Sequence, residues 1–414
     1  GHPNKLFERV GVWEWVDVSD RLGETWIHGY SKFIPWFDYN DDGHMDLYII
    51  NHMHQFTGNH LLQNDGTGHF SEVMGTGLDL TMSGMGFDMA DLNGDRSPDL
   101  LISDQSAVKM MMSDGQGGWY DAALARGLVV SVSDARHTAW SSTWSDLDND
   151  GLVDVITSFA PTTEAGYDTG ESQVQEQRDS IWQQNPEGTF TDVSGDWGMD
   201  HTAPNRAVVA VDLNQDGWLD IIKSEHHGPT VLFMARCGFQ AWLIVELRGP
   251  TDNPHGIGAR VTIEHGDRTQ TRWIRNMAPG YLSNLPHEVH FGLGDSETVD
   301  RLTVDWPDGT KIRLEDVDTR RALEITWEAE DHVTRFPIAW LEAYKAPRRR
   351  PDPADLPRKA WYGDHYPDVP RFSQPELLAN EALRAKWIEA MLVEGFTILT
   401  DMPTATPPSP KPPR

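Results

Sequence analysis

The stretch DLDNDGLVD at residues 146–154 places carboxylates at its first, third and fifth positions, a glycine at the sixth and a further carboxylate at the ninth. A similar pattern, with asparagine at the third position, returns as DYNDDGHMD at 38–46, DLNGDRSPD at 91–99 and DLNQDGWLD at 212–220. Each copy runs into a short stretch of β-branched and aliphatic residues, such as LYII at 47–50, which is typical of a buried strand. An acidic loop that recurs in phase with strands indicates an internal repeat.

The repeat unit contains more than the acidic loop. The loops begin 53, 55 and 66 residues apart, and a second element follows three of them. It consists of two strand-like runs around a glycine-bearing turn, as in HLLQNDGTGHFSEV at 60–73, SIWQQNPEGTFTDV at 180–193 and, more loosely, KMMMSDGQGGWYDA at 109–122. About four short strands per repeat predict an all-β fold, in which residues 1–239 form a β-propeller. The alternative is an antiparallel sandwich with similar turns, which the fixed order of loop, strand and turn disfavours.

The run KLFERVGVWEWVDV at 5–18 looks like the outer strand pair of a repeat, but no acidic loop precedes it. Either this pair closes a small ring with the last blade, or upstream blades are missing. We expect the second, because the pair matches the outer half of a preceding unit, so the propeller is predicted to be incomplete. The start GHPNKLF has no Met and no apolar leader, which we interpret as a processed or truncated beginning.

The pattern changes near residue 240, where a second domain is predicted over 240–328. QAWLIVELRG at 240–249 is a strand, and RLTVDWPDGTKIRL at 301–314 is a hairpin with Pro307 and Gly309 in its turn. These elements predict a small β domain.

The rest of the chain is predicted to be a short α/β tail at 329–403, followed by a disordered Pro-rich segment at 404–414. Within the tail, a Pro-rich basic linker spans 345–359. A helix is predicted over 373–395, with a capping box at Ser373 and a stop at Gly395, and FTIL at 396–399 is a strand.

The acidic loops have the pattern of a calcium site. Oxygen ligands at positions 1, 3 and 5 converge on one point, glycine at position 6 permits a sharp turn, and position 7 offers its carbonyl, as in an EF-hand. Hard oxygen ligands select Ca²⁺ or Mg²⁺ over zinc or copper, and flexible loops rich in carboxylates favour calcium. In the second loop Arg96 replaces the glycine, so we expect a weaker site there. The alternative is that these are solvated turns, in which Asp, Asn and Gly are common.

The predicted metal ligands are side-chain oxygens, except that His44, Leu152 and Trp218 offer backbone carbonyls. The set is Asp38, Asn40, Asp42, His44 and Asp46 in the first loop; Asp91, Asn93, Asp95 and Asp99 in the second; Asp146, Asp148, Asp150, Leu152 and Asp154 in the third; and Asp212, Asn214, Asp216, Trp218 and Asp220 in the fourth.

Composition narrows the classes of partner. Lys plus Arg number 34 and Asp plus Glu 64, giving a formal net charge of −30 among 414 residues. This balance argues against nucleic acid or an anionic membrane surface and favours cations. Cys237 is the single cysteine, so no internal disulfide forms, and no run of 18 apolar residues predicts a transmembrane helix.

Two further residue sets suggest weaker alternatives. Histidines near the loops (His28, His52, His54, His137, His201, His226 and His227) could form a transition-metal or substrate site, although polar rim residues are the simpler interpretation. Trp26, Trp36, Trp140 and Trp144 could stack on sugars, although packing between blades is the commoner use of tryptophan. No complete catalytic site is visible, so no catalytic residue is assigned.

The loops and their glycine turns resemble the FG-GAP/VCBS repeats of calcium-binding propellers. GIGARVTIEHGDRTQTR at 256–272, HFGLGD at 290–295 and VDRLTVDWPDGT at 299–310 resemble the ASPIC/UnbV domain. This pairing is typical of the cartilage-acidic-protein-like family. The resemblance implies bound Ca²⁺ and an extracellular, periplasmic or cell-surface interaction or scaffold role, with a protein or carbohydrate ligand and no known catalytic site.

The tail carries a second resemblance. EDHVTRFPIAWLEAY at 330–344, KAWYGD at 359–364 and ALRAKWIEAMLVEGFTILTDMP at 382–403 look like the N-terminal region of γ-butyrobetaine-hydroxylase-like dioxygenases. Those enzymes use Fe(II) and 2-oxoglutarate at a His-x-Asp…His site, but no His-x-Asp follows residue 330. The alternative function is therefore an accessory portion of such a dioxygenase, whose catalytic core is not in this chain. That alternative would suit a cytoplasmic setting.

Overall fold

Each acidic loop joins the first strand of an antiparallel sheet to the second in the computed structural model of the chain. The four sheets follow one another along the sequence, as the repeats predict. The structure describes residues 4–11, 13–23, 29–52, 58–105, 108–129, 137–161, 178–199, 205–225, 228–236, 238–276, 279–280, 282–327, 371–373, 376, 380, 383, 386 and 398–400.

The first three sheets have the four-stranded connectivity of propeller blades, the first with its inner strand broken in two. Their strands are β3 (Tyr30–Phe33), β4 (Trp36–Phe37), β5 (Asp46–His52), β6 (His60–Asn64) and β7 (Phe70–Val73); β8 (Gly86–Ala90), β9 (Asp99–Ser103), β10 (Val108–Ser113) and β11 (Trp119–Asp121); and β12 (His137–Ser145), β13 (Asp154–Pro161), β14 (Ser180–Gln184) and β15 (Phe190–Asp192).

The fourth sheet has three strands instead of the four that the repeat predicted: β16 (Asn205–Val211), β17 (Asp220–Glu225) and β18 (Thr230–Phe233). The reason is that the next strand along the chain, β19 (Ala241–Arg248), joins a sheet of the following domain.

The hydrophobic core lies between neighbouring sheets. Phe37 and Tyr48 of the first sheet pack with Phe87 and Leu100 of the second, and comparable clusters join the second sheet to the third and the third to the fourth. Strands such as β9 are buried along their whole length because sheets cover both of their faces. The predicted all-β fold with propeller-like blades is confirmed.

The N-terminal run forms a separate antiparallel hairpin of β1 (Phe7–Gly11) and β2 (Glu14–Asp17), as predicted for a strand pair. Apolar side chains on this hairpin are exposed, with Trp13 at 90% and Trp15 at 59%.

Two sheets form the C-terminal β domain. β19 lies between β22 (Glu288–Gly294) and β25 (Arg321–Thr326), and the second sheet has the order β21 (Arg268–Trp273), β20 (Arg260–His265), β23 (Thr298–Asp305) and β24 (Lys311–Asp318). The predicted hairpin is confirmed. Trp306 donates its N–H to the Thr310 carbonyl at 2.9 Å, and Gly309 takes φ of +87° in the turn.

The chain divides into one unit of residues 1–340, which holds all of these sheets, and a second of 341–414. In the second unit Arg371–Ser373 pairs in parallel with Ile398–Thr400, close to the strand predicted at 396–399. Glu376, Leu383 and Lys386 are helical, while the rest of the predicted helix, the linker and most of the dioxygenase-like segment lie outside the described residues. That resemblance and the predicted domain boundaries stay predictions. Among the described residues, no helix has the length and apolarity to cross a membrane.

Candidate metal centre

Each acidic loop is folded by its own carboxylates. In the third loop Asp146 accepts the N–H of Asp150 on Oδ1 at 3.2 Å and the N–H of Gly151 on Oδ2 at 3.0 Å, and Asp150 accepts the N–H of Leu152 at 2.8 Å. The same bonds recur at equivalent positions of the other three loops. Short acidic side chains form such bonds to nearby backbone readily, which is why this spacing folds into a tight turn.

Positions 4 and 6 of every loop have left-handed backbone. Position 4 is Asp41, Gly94, Asn149 or Gln215, with φ of +57°, +76°, +59° and +61°, and position 6 is Gly43, Arg96, Gly151 or Gly217, with φ of +84°, +71°, +90° and +84°. The second loop therefore keeps its turn although Arg96 replaces the glycine. Arg96 donates its N–H to Asp91 Oδ2 at 2.9 Å like a glycine at this position, at a strain of about 1–2 kcal/mol.

The aspartate at position 9 ties each loop to the rest of its sheet. Asp154 accepts the N–H of Leu147 on Oδ2 at 3.1 Å and the N–H of Gln184, at the end of β14, on Oδ1 at 3.0 Å. Asp46, Asp99 and Asp220 accept the corresponding pairs of N–H groups. Since an ionised carboxylate has about four lone-pair sites, these bonds leave room for a cation.

Burial makes the negative charge of these loops costly. Burial and the charges of Asp150 and Asp148 raise the pKa of Asp146 to about 8. Burial is also the main cause at Asp99, whose pKa rises to about 7, and at Asp154, whose pKa rises well above its ordinary value. The pKa rises to about 6, again chiefly through burial, at Asp46, Asp150 and Asp220. At neutral pH the third loop therefore favours either a proton or a cation at Asp146 and Asp154, whose pKa values are raised most.

The donor set fits a hard cation. Asp146, Asp148 and Asp150 each offer one oxygen, and these oxygens lie within 4.8 Å of one another. In the other loops position 3 is asparagine, whose amide donates to the carboxylate at position 5, as from Asn40 to Asp42 at 2.9 Å. All of these side-chain ligands present oxygen, which suits Ca²⁺ or Mg²⁺. Of the four loops, the third is the one with carboxylates at positions 1, 3 and 5 together.

The C-terminal domain lies over the third loop. Gly292 of β22 donates its N–H to Asp146 Oδ2 at 3.0 Å, and Gly294 donates to the Asn149 carbonyl at 2.7 Å. Arg268 of β21 donates from Nη1 to the Asp150 carbonyl at 2.7 Å. The loop is therefore held by two domains.

The same domain reaches the other three loops. His290 Nε2 donates to the Gly217 carbonyl of the fourth loop at 3.0 Å. Arg260 pairs with Asp41 of the first loop at 2.9 Å, and the guanidinium of Arg96 in the second loop reaches Asp305 at 3.5 Å. Arg96 therefore has an anionic neighbour in the C-terminal domain.

A cleft of about 860 Å³ opens between the first two loops and the C-terminal domain. Asp38 and Asp95 line its propeller side, and Arg260 and Trp306 line its domain side. Trp36 also lines the cleft and is 37% exposed. Trp306 is 4% exposed, and its indole Nε1 has no hydrogen-bond partner among the described residues. The cleft thus combines loop oxygens, aromatic surface and a buried donor.

The structure folds the four loops alike and brings oxygens of Asp146, Asp148 and Asp150 within 4.8 Å of one another, but the sequence did not indicate the residues that cover the loops. Gly292, His290 and Arg268 belong to segments quoted only for their family resemblance, and no ligand-like spacing marks them. Of the tryptophans considered for stacking, Trp140 and Trp144 are buried at 7% and 5% exposure, as packing predicts. Trp26 and, of the histidine set, His28, His54, His201, His226 and His227 lie outside the described residues.

Known families match both parts of the chain. A family model described as ASPIC and UnbV matches residues 249–332, and one described as an FG-GAP-like repeat matches residues 38–102 and 91–157. The chain therefore contains FG-GAP-like repeats and an ASPIC/UnbV domain, as the resemblance predicted.

Single proteins are more distantly similar. Cartilage acidic protein 1 of Xenopus tropicalis is 26% identical over 298 residues, which cover 67% of this chain and 43% of that protein. This chain thus spans less than half the length of that relative. A structure of an Agrocybe aegerita lectin that recognises non-reducing terminal N-acetylglucosamine is 19% identical, with a TM-score of 0.27 over 48% of this chain and 52% of that chain. A TM-score this low supports no inference about the fold or function of this chain.

Proposed function

We propose that this chain of FG-GAP-like repeats and an ASPIC/UnbV domain is a calcium-binding interaction module that works outside the cell. Calcium would be held by the oxygens at positions 1, 3, 5 and 9 of each acidic loop, joined by the position 7 carbonyl in the first, third and fourth loops. Its role would be structural: it neutralises carboxylates that the fold buries and fixes the loops against the C-terminal domain.

The third loop supplies the main observation. Asp146 is 2% exposed, and its carboxylate shares a small volume with those of Asp148 and Asp150. Three like charges at this distance destabilise the fold unless a cation or protons compensate them. Burial raises the pKa of Asp146 and of Asp150 by more than the charges of the buried Arg272 and of Arg268, respectively, lower it, so both pKa values remain raised.

Isothermal titration calorimetry of the full chain with calcium tests this function, with magnesium as the comparison ion. We expect up to four binding events, lost when the third position of a loop is replaced. Extracellular calcium modules bind with dissociation constants of about 0.1–1 mM, which millimolar calcium fills. Absence of binding heat would refute calcium binding. Sub-micromolar affinity would instead contradict the extracellular setting.

The cleft beside the first two loops is the surface to which we assign the partner. Its volume lies in the range of small-ligand sites, about 300–1,000 Å³. The exposed ring of Trp36 and the loop oxygens favour a carbohydrate over a protein, because sugars combine a face that stacks on aromatic rings with hydroxyls that bind polar groups. Binding of the full chain to immobilised glycans in calcium tests this assignment. Trp36→Ala should abolish binding, whereas Tyr120→Ala, which removes an aromatic ring 55% exposed outside the cleft, should not.

A further inference from the structure

The four acidic loops differ in how far the C-terminal domain covers them. At position 4 of the third loop, Asn149 has no exposed surface, whereas the equivalent residue of the first loop, Asp41, has a side chain 76% exposed. At position 6, Gly151 and Gly217 are buried in the third and fourth loops, while Gly43 is exposed in the first. The third loop is therefore an interior feature of the unit, and the first faces solvent. The fourth is intermediate, because Gly217 is buried while Leu213 and Gln215 are exposed.

Strand β22 approaches the third loop too closely for any side chain at residue 292. A Cβ built on Gly292 would lie 2.1 Å from Asp146 Oδ2 and 2.5 Å from the Asn149 Cα. The approach lets Gly292 donate its N–H to Oδ2 of Asp146, the oxygen that also accepts the N–H of Gly151. The C-terminal domain thus fixes the position of the first carboxylate of the loop.

The fourth loop is fixed in the same way. The carbonyl of Gly217 accepts both His290 Nε2, at 3.0 Å, and Asn149 Nδ2, at 3.1 Å, so it links β22 to the third and fourth loops. A Cβ built on Gly217 would meet the indole of Trp242 at 1.8 Å, so the domain also packs against the loop backbone. Asn149 Oδ1 remains a buried oxygen without a hydrogen-bond partner among the described residues.

We propose that the third and fourth loops are composite metal sites, in which Gly292, His290 and Trp242 of the C-terminal domain are positioning residues. Cation binding at these two loops and docking of the domain would then be coupled. The inference rests on the proposed function, because it requires that the loops bind calcium.

The physical reason is preorganisation. A loop whose carboxylate and backbone are already fixed loses little conformational freedom when a cation draws its oxygens together. Linkage makes the effect reciprocal: if the docked domain raises calcium affinity by a given factor, calcium favours docking by the same factor. The first loop meets the domain chiefly through the exposed pair of Asp41 and Arg260, so its coupling is expected to be small.

Hydrogen–deuterium exchange on the full chain, read peptide by peptide across a calcium titration, tests the proposal. Calcium should slow exchange in 288–294 by about tenfold, within the usual range of coupling between sites. Exchange in β24, an edge strand of the other sheet, is the control and should change much less. Asp148→Ala should remove most of the protection of 288–294, and the fourth loop accounts for what remains through His290. Asn40→Ala, at the same position of the exposed first loop, should leave the protection intact.

A variant of the C-terminal domain tests the reverse direction. Gly292→Ala should raise the calcium midpoint of peptide 146–154 about tenfold and leave that of 38–46 unchanged. Gly195→Ala is the matched control, because its Cβ meets nothing within 4 Å and its φ is not left-handed. If Gly292→Ala does not fold, His290→Ala serves instead, with the midpoint of peptide 212–220 as its readout.

The outcomes separate the two claims. If no loop gains protection from calcium and calorimetry shows no heat, the proposed function itself fails. If calcium binds but 288–294 exchanges at the same rate with and without it, the coupling is refuted while calcium binding stands. Equal shifts of the 38–46 and 146–154 midpoints in Gly292→Ala would also overturn the composite sites.

Discussion

Calcium should stabilise this protein more at pH 8 than at pH 5, because protons and calcium compete for the same buried carboxyls. Millimolar calcium is about a tenfold excess over a dissociation constant of about 0.1 mM, and each site filled at that excess adds about 1.4 kcal/mol to the free energy of unfolding. Without calcium, the raised pKa values make the fold less stable as the pH rises. A buried aspartate with a raised pKa contributes stability below its ordinary value of 3.8 and loses that contribution as pH rises through the raised value, about 7 for Asp99.

The size of the competition follows from those pKa values. At pH 5 about one in a hundred copies of Asp99 is ionised in the ion-free fold, since its pKa is about 7. The calcium affinity of the second loop should therefore fall about a hundredfold between pH 8 and pH 5, or about 2.7 kcal/mol. At Asp46, whose pKa is about 6, the corresponding loss for the first loop is about tenfold.

Thermal melts in EGTA and in millimolar calcium at pH 5, 6, 7 and 8 measure the effect. Sodium chloride at matched ionic strength is the control, because a net charge of −30 makes the fold sensitive to screening alone. A calcium-induced shift of the melting temperature that stays the same from pH 5 to pH 8 would refute the competition. No shift at any pH would refute calcium stabilisation altogether.

Three further changes have defined outcomes. Asp148→Ala should remove calcium from the third loop. Asp95→Ala should reduce calcium binding less, because Arg96 already strains the second loop. Equal losses of calcium stoichiometry in calorimetry would show that Arg96 does not weaken its site. Gly117→Ala should lower the free energy of unfolding in urea by about 1–2 kcal/mol, because residue 117 has φ of +87° and nothing lies within 4 Å of its Cβ position. Gly217→Ala should lower it by about 1–3 kcal/mol more, because the added Cβ would meet Trp242. Equal losses would mean that the contact with Trp242 is readily relaxed. Truncation after residue 329 should leave calcium binding and the main melting transition nearly unchanged. Trypsin should cut the intact chain first within the Arg-Pro stretch 347–358. Earlier cleavage in the propeller loops would show that the tail is an integrated part of the fold.

The acidic loops could be predicted from sequence because their geometry is local. Asp146 is bonded to backbone groups four and five residues further along, so the spacing of the carboxylates nearly specifies the turn. The strands could also be predicted from local sequence, because a run such as DLLIS is rich in aliphatic and β-branched residues that favour a buried strand. Arg96 shows the limit of this reasoning: a substitution that breaks the residue pattern leaves the loop bonds in place, because the bonds of Asp91 are enough to hold its backbone.

What covers the loops was decided only by the tertiary structure. Gly292 lies 146 residues after the carboxylate that it binds, and the local pattern of HFGLG differs little from that of any other buried strand. His290 and Trp242 reach Gly217 only because the sheets of the C-terminal domain pack against the loop end of the propeller-like blades. Side-chain bonding within one turn determined the shape of each candidate site. The packing of whole sheets, which depends on many weak contacts between distant segments, determined which sites are buried and which face solvent.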